Sequence, residues 1–204
     1  MIRLGIVGLD TSHAGEFTKR FNHVGVEEEQ WVDGAKVVAA CAGESKIKSM
    51  EEIEAEAKIM AERFGVELVK RPEDMLGKID AVLIESQEGS SHFTYAKPFI
   101  MKGMPTFVDK PFACSLAEAK AMSRLAVKKK APLFSSSSLR YALEIQKLKA
   151  SAAEVGSILG AEAYSPAPLH PANPGLFHYG IHAVETLYAL MGPGCKSVWC
   201  VYDE

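Results

Sequence analysis

Short apolar runs alternate with helical patterns from residue 2 to residue 134, and this alternation limits the possible folds more than any other feature. The runs at 2–7, 36–41 and 79–84 have the length and composition of strands, and the last is apolar enough for burial on both faces. Because parallel strands need helical crossovers, the pattern predicts an α/β fold with a doubly wound parallel sheet. The other predicted strands are 66–69, 107–108 and 132–134, and the predicted helices are 16–21, 50–64, 92–101 and 116–128.

The composition excludes several classes of protein. The chain has 204 residues, a net charge of -3, 48% hydrophobic and 24% charged residues, which is typical of a soluble globular protein. There is no basic excess to favour nucleic acid or a membrane surface as a partner, and no apolar run is long enough to span a membrane. The amino terminus has no signal-peptide pattern, and the four cysteines form no CxxC pair, so a cytoplasmic protein is expected.

One apolar run ends in the sequence Asp109-Lys110-Pro111. Pro111 cannot continue a central strand, so Lys110 is expected at the carboxyl end of a strand, where open α/β sheets bind their ligands. An ammonium group beside Asp109 in such a crevice can donate a proton, bind a hydroxyl group or form a structural ion pair. The residues alone leave these alternatives open.

The turn after the first strand has the geometry that receives a phosphate group, namely a strand, a tight turn and a helix N-terminus. Of the dinucleotide pattern G-x-G-x-x-G only Gly8 is present, and Asp10 and His13 stand at the positions of the second and third glycines. Thr11, Ser12 and His13 offer side-chain donors instead. An Asp10 carboxylate would repel a diphosphate unless it turned away to cap the helix, so this turn alone is a weak dinucleotide signature.

The residues after the second strand decide between cofactors in this kind of fold. An acidic residue there binds the ribose diol of NAD, and a nearby cation accepts the 2′-phosphate of NADP. Glu44 and Lys46 supply both, so the sequence does not choose between NAD and NADP.

Four serines at 135–138 mark a predicted domain boundary between residues 1–136 and 137–204. The second unit is predicted to contain an amphipathic helix over 140–150, a strand over 158–164 and a proline-rich loop. A helix over 175–187 would place His178, His182 and Glu185 on one face, which favours a functional site.

Together these motifs resemble the glucose–fructose oxidoreductase / inositol dehydrogenase (Gfo/Idh/MocA) family. The resemblance implies that residues 1–136 are a Rossmann domain binding NAD or NADP, and that 137–204 are part of an α+β domain for substrate binding and oligomerisation. It rests on residues 4–8, 80–84, His92, Asp109-Lys110-Pro111 and Gly180 to Glu185.

The resemblance also implies roles for individual residues. Lys110 would contact substrate and cofactor, and His182 would be the acid–base group, because an imidazole titrates near neutrality. His178 and Glu185 would tune the proton path, although many dehydrogenases of the family carry an aspartate at the position of His178. The expected cofactor-binding residues are Gly8, Leu9, Asp10, Thr11, Ser12, His13, Glu44, Ser86, His92, Asp109, Lys110 and Pro111.

Three functional hypotheses follow. The first is an NAD(P)-dependent oxidoreductase that acts on a sugar, a polyol or a related hydroxyl or carbonyl substrate, without a metal. The second is a non-catalytic nucleotide- or sugar-binding regulatory protein on a degenerate Rossmann scaffold. The third is a zinc site of His178, His182 and Glu185, with or without His170, ranked last because the family pattern explains these residues without a metal. Because the sequence stops where the second sheet would begin, an incomplete second domain and a homo-oligomer through that sheet are expected.

Overall fold

The first part of the chain forms a six-stranded parallel sheet with the strand order β3-β2-β1-β4-β5-β6. The structure is a computed structural model that describes residues 1–201. The order reverses between β1 and β4, as in a Rossmann fold, which confirms the predicted doubly wound sheet. The strands are β1 (Ile2–Val7), β2 (Ala35–Cys41), β3 (Glu67–Val69), β4 (Ala81–Ile84), β5 (Thr106–Val108) and β6 (Leu133–Ser135).

Helices connect these strands, and the chain continues into a mainly helical second part. The helices are α1 (Ser12–Asn22), α2 (Met50–Phe64), α3 (His92–Met101), α4 (Leu116–Lys129), α5 (Leu143–Ala150), α6 (Ala152–Val155) and α7 (Ile181–Met191). Short 3₁₀ helices occupy Glu28–Gln30, Pro72–Met75, Ser138–Tyr141 and Gly175–Phe177.

The sheet has a hydrophobic core on each face, which explains why its strands are apolar throughout. Leu4 and Ile6 of β1 pack with Ile53 and Met60 of α2, whereas Val7 packs in the other cluster, with residues of α3 and α4. Successive side chains of a strand point to opposite faces, so a strand covered on both sides needs apolar residues at every position.

The predicted helix over 50–64 is confirmed as α2, and local chemistry fixes both of its ends. Ser49 and Glu52 form a reciprocal capping box at the N-terminus, and Gly65 takes the left-handed conformation, φ 66°, at the C-terminus. Ser115 likewise caps α4 by accepting a hydrogen bond from the Glu118 amide.

Two predictions for the second part are wrong. No regular strand or helix forms over 156–169, where a strand was expected at 158–164. Leu159 is 93% and Tyr164 90% exposed, because no strand of the described chain lies beside this segment to form hydrogen bonds with it. The helix expected over 140–150 is interrupted at Ala142, whose ψ of 140° separates the 3₁₀ turn from α5.

The helix expected over 175–187 also differs from the prediction. A 3₁₀ turn covers Gly175–Phe177 and α7 begins only at Ile181, so His178 does not lie on the helix that carries His182 and Glu185. The side-chain amide nitrogen of Asn173 lies 3.2 Å from His178 Nδ1, and this contact belongs to the loop before the helix. The predicted single stripe of three residues is therefore not formed.

None of the helices within residues 1–201 combines the length and the apolar character needed to span a membrane.

Candidate active site

The turn between β1 and α1 is built around Gly8. Its φ is +97°, and a Cβ there would lie 2.3 Å from the backbone nitrogen of Ser86. Only glycine satisfies both conditions, because the turn touches the loop that follows β4. Thr11 caps α1, with its Oγ1 accepting a hydrogen bond of 3.3 Å from the His13 amide.

Asp10, which stands where the dinucleotide pattern has its second glycine, connects three loops. Its carboxylate accepts hydrogen bonds from the Gln87 amide at 2.9 Å and from Ser45 Oγ at 2.6 Å. The residue is 1% exposed. Asp10 therefore does not cap α1, as the sequence allowed, but holds together the loops that follow β1, β2 and β4.

The carboxyl end of β5 places Asp109 against α1. His13 Nδ1 donates a hydrogen bond of 2.7 Å to Asp109 Oδ2. Lys110 is also buried, and within residues 1–201 no carboxylate forms an ion pair with it. Of the alternatives left open by the sequence, the structural ion pair between Asp109 and Lys110 is thus not formed.

The Lys110 ammonium group lies near the ring of Tyr179, which is itself next to His178 and His182 of the second part of the chain. Its Nζ is 5.8 Å from the centre of the Tyr179 ring, and that ring is 5.2 Å from the ring of His182. His182 Nδ1 is hydrogen-bonded to Ser137 Oγ at 2.7 Å. Burial lowers the pKa of His182, and the positive charge of Lys110 lowers it further. Burial also lowers the pKa of His178, and the charges of His170 and Lys110 act in the same direction.

Glu185 has a partner of its own. Its carboxylate accepts a hydrogen bond of 2.6 Å from Arg140 Nε, which ties α7 to the 3₁₀ turn after β6. Glu185 and Lys110 both line a cavity of about 330 Å³. Arg140 thus engages the Glu185 carboxylate, and the three residues of the last-ranked zinc hypothesis, His178, His182 and Glu185, do not form a ligand cluster among residues 1–201.

Glu85 was missed as a site residue in the sequence. It follows β4 directly and is completely buried, and both of its carboxylate oxygens have no hydrogen-bond partner among residues 1–201. Burial raises the pKa of Glu85 well above its ordinary value, and the neighbouring Asp109 raises it further, whereas Lys110 lowers it. The available signal was a charged residue at the end of an otherwise apolar strand.

Asn173 was also missed. It is fully buried, accepts a hydrogen bond from the Gly89 amide at 2.9 Å and donates one to the Gln87 carbonyl at 2.8 Å. A loop of the second part is thereby fastened to the loop after β4. In the sequence this residue was only one polar member of a proline-rich loop.

Several expected cofactor-binding residues are interior. Ser86 and His92 are completely buried, and His92 Nε2 lies 2.5 Å from the Ser86 carbonyl oxygen, so they shape the loop after β4. Leu9 and Pro111 are buried as well, which leaves their backbone groups as possible contacts. Ser12 at the start of α1 is exposed.

The two residues that bear on the choice between NAD and NADP, Glu44 and Lys46, differ in their surroundings. Glu44 is exposed, and no hydrogen bond or ion pair engages its carboxylate within the described chain; its backbone amide bonds to the Tyr95 hydroxyl at 2.8 Å. The Lys46 ammonium group is held 2.5 Å from Glu88 Oε1.

A cavity of about 340 Å³ lies between α1 and the strands β4 to β6. His13 and Asp109 stand at one end, and most of the wall is aromatic or aliphatic. The lining residues are His13, Phe17, Phe21, Leu83, Phe107, Asp109, Phe134, Ser136, Ser138 and Tyr141.

Comparison with known proteins gives one family. The family model described as "Oxidoreductase family, NAD-binding Rossmann fold" (Gfo/Idh/MocA) matches residues 2–137. That range coincides with the sheet and its helices. Among curated proteins, none matches this chain.

Solved structures share the fold. An oxidoreductase from Agrobacterium radiobacter, in complex with NAD⁺, L-tartaric acid and magnesium, is 21% identical, with a TM-score of 0.69 over 94% of this chain and 55% of its own. The apo scyllo-inositol dehydrogenase from Lactobacillus casei is 21% identical, with a TM-score of 0.61 over 78% of this chain and 44% of its own. A Gfo/Idh/MocA family oxidoreductase from Vibrio cholerae is 24% identical, with a TM-score of 0.56 over 76% and 44%. The chain thus spans about half the length of these structures.

Proposed function

The chain belongs to the Gfo/Idh/MocA oxidoreductase family, whose matched domain is an NAD-binding Rossmann fold, and on that premise we propose that the protein is a nicotinamide-dependent dehydrogenase. It interconverts a hydroxyl and a carbonyl group on a sugar, a polyol or a related small molecule. The activity is proposed for the whole protein, because the chain spans about half the length of its solved relatives. The inositol dehydrogenase among those relatives supports the choice of substrate class.

The observation that carries the proposal is the convergence of Lys110 and His182 at the carboxyl edge of the sheet. Both groups lie near the Tyr179 ring, whose centre is 5.8 Å from Lys110 Nζ and 5.2 Å from the centre of the His182 ring, and the Lys110 charge acts on the pKa of His182. Ligands of open α/β sheets bind at this edge, next to the point where the strand order reverses. A cation and an imidazole placed together there suit a reaction at one substrate oxygen.

Each of these residues has a distinct role. Burial and the charge of Lys110 lower the pKa of His182, which favours the neutral imidazole that can accept the hydroxyl proton. The Lys110 ammonium group binds the same oxygen and stabilises negative charge on it. A bound nicotinamide would accept or supply the hydride. His178 and Glu185 hold the surroundings of His182 in place.

We propose NAD rather than NADP as the cofactor. The Glu44 carboxylate, which follows β2, has no partner within the described chain and can accept the hydroxyl groups of the adenosine ribose. The Lys46 ammonium group, which would attract a 2′-phosphate, is already paired with Glu88. The turn at Gly8 and the N-terminus of α1 would receive the pyrophosphate.

The exposed side chain of Ser12 gives a direct test of cofactor binding. In Ser12→Glu the new carboxylate stabilises the helix N-terminus but repels a diphosphate, so we expect unchanged or higher thermal stability and a loss of NADH affinity of about tenfold or more. Ser12→Gln, of similar size and no charge, is the matched control. Titrations of the full chain with NADH and with NADPH, followed by nicotinamide fluorescence and calorimetry, measure both affinities.

Three outcomes separate the hypotheses. Saturable binding that prefers NADH, is weakened in Ser12→Glu and is retained in Ser12→Gln supports the proposal. Equal weakening in both variants, or no binding by the folded chain at millimolar nucleotide, contradicts this binding mode. Saturable binding by the whole protein without turnover on a panel of sugars and polyols would instead favour the non-catalytic alternative.

A further inference from the structure

Three potential metal ligands meet where the ends of β4 and β5 approach α1. One ligand atom each from His13, Glu85 and Asp109 lies within 4.8 Å of the other two, and this is the one such group among residues 1–201. His13 belongs to the first turn of α1, Glu85 follows β4 and Asp109 follows β5. The group was not visible in the sequence, because its members belong to three separate segments of the chain.

Glu85 is the member of this group that requires a further partner. It is completely buried, and neither carboxylate oxygen accepts a hydrogen bond from any described residue. The hydrogen bond of 2.7 Å between His13 and Asp109 satisfies Asp109 but leaves Glu85 without a donor. Lys110 acts on Glu85 through its charge but donates no hydrogen bond to it, so a proton or a bound cation is needed to satisfy this buried carboxylate.

The geometry distinguishes these two possibilities. A proton on Glu85 requires no other residue, whereas a cation requires several ligand atoms around one point, which is the arrangement found. Tetrahedral ligands about 2.0–2.2 Å from one ion lie about 3.3–3.6 Å apart, so atoms within 4.8 Å of one another would need to move by no more than about 1.5 Å to share an ion. His13 and Asp109 also line the cavity of about 340 Å³, which gives an ion a route of entry.

We propose that His13, Glu85 and Asp109 bind one divalent first-row transition-metal ion, such as Zn²⁺ or Mn²⁺, at the carboxyl edge of the sheet. One imidazole nitrogen with two carboxylate oxygens suits these ions, whereas Mg²⁺ and Ca²⁺ prefer sites made of oxygen ligands alone. Because His13 and Asp109 line the cavity, water or an oxygen atom of a small ligand could reach the ion from it.

The first experiment measures metal binding to the full chain. Protein purified without a histidine tag is stripped with a chelator and titrated by calorimetry with ZnCl₂, MnCl₂ and MgCl₂ in separate runs. We expect saturable binding of about one equivalent of Zn²⁺ or Mn²⁺, and no saturable binding of Mg²⁺ over the same range. Elemental analysis after gel filtration checks the stoichiometry.

Two variants and one control assign the site. Glu85→Gln keeps the shape of the side chain and removes its charge, and His13→Ala removes an imidazole that is 36% exposed. Each should weaken binding by about tenfold or more, since even the loss of a supporting residue has effects of that size in metal sites. Glu88→Gln is the matched control, because Glu88 is a buried carboxylate that pairs with Lys46 outside the cluster. Co²⁺ absorption reports the ligand field independently.

The proposal is overturned if neither Zn²⁺ nor Mn²⁺ binds stoichiometrically, or if both variants leave the binding unchanged. It is also overturned if Glu88→Gln weakens binding as much as Glu85→Gln does. Circular dichroism checks that each variant is folded. If Glu85→Gln does not fold, His13→Ala still tests the site. No nucleotide is present, so failure here leaves the dehydrogenase proposal intact.

Discussion

At the scale of single residues, the carboxyl edge of the sheet concentrates charge in a space with little water. Asp10, Glu85, Asp109 and Lys110 are all less than a tenth exposed. Asp10 and Asp109 each have hydrogen-bond donors, whereas Lys110 has an aromatic ring beside it and two histidines within its field. Electrostatic interactions are strong in such surroundings, so single charge changes should have measurable effects.

The pKa of His182 should respond to Lys110. Burial lowers this pKa first; Lys110 and His13 lower it further, and Asp109 and Glu185 raise it. Lys110→Met keeps the length of the side chain and removes its charge, so the pKa of His182 should rise toward the ordinary value. An NMR titration of the His182 ring, assigned with His182→Gln, measures the change.

The direction of this shift is the decisive part. Lys46→Met serves as the control, because Lys46 is paired with Glu88, and it should leave the His182 titration where it is. Turnover by the whole protein should fall sharply in Lys110→Met, because this ammonium group is proposed to bind the reacting oxygen, so the His182 titration is the readout of the shift. An unchanged or lower His182 pKa would contradict the proximity of the two groups.

At the scale of elements, loops rather than helices and strands form the site. The segments after β1, β2 and β4 are fastened to one another by Asp10, and Asn173 fastens a loop of the second part to the segment after β4. α7 is attached separately, through the contacts of Ser137 with His182 and of Arg140 with Glu185. The Asn173 contacts therefore join the second part to a loop of the sheet, whereas the α7 contacts lie within the second part, next to the end of β6.

Removing Asn173 should loosen the first attachment. Asn173→Ala leaves the Gly89 amide and the Gln87 carbonyl without their partner, and unsatisfied buried polar groups cost about 1–3 kcal/mol. A corresponding loss in the free energy of unfolding is expected in a urea titration. Leu169→Ala, an exposed substitution in the same segment, should change it by no more than about 0.5 kcal/mol. Equal effects of the two substitutions would show that Asn173 does not anchor the loop.

At the scale of the whole molecule, the hydrophobic core lies in the sheet and its helices. Both core clusters are made of residues between Leu4 and Leu133, and Ala189 is the one buried hydrophobic residue described after position 137. The domain boundary between residues 136 and 137 and the homo-oligomer through the second sheet stay predictions. The uneven distribution of the core supports the boundary.

Limited proteolysis should reveal this difference between the two parts. Chymotrypsin cleaves after large apolar and aromatic residues, and Leu159, Tyr164 and Leu169 are 93%, 90% and 70% exposed in a segment without regular structure. The first cuts should fall there and leave a stable fragment that starts at residue 1. Phe99, which is completely buried, should resist cleavage in the same digest. Early cleavage within residues 1–136, identified by mass spectrometry, would contradict the prediction.

Much of the architecture could be predicted from local patterns. The strands, the limits of α2 and α3, and the position of Lys110 at a strand end follow from hydrophobic periodicity, capping residues and a proline, all of which act within a few residues along the chain. The segments whose structure was predicted incorrectly are those that depend on partners distant in the sequence. The expected strand over 158–164 is such a segment, because a strand forms only where another strand supplies hydrogen bonds.

The sequence by itself determined the parallel sheet, the family motifs and the presence of a lysine and a histidine suited to proton transfer. Only the tertiary structure decided how these residues are paired: it placed His13 rather than Lys110 against Asp109, left Glu85 buried without a donor, and engaged Glu185 with Arg140. The physical reason is that charge and hydrogen-bond partners are set by distances in space. These distances join loops far apart in the chain, and no local pattern encodes them.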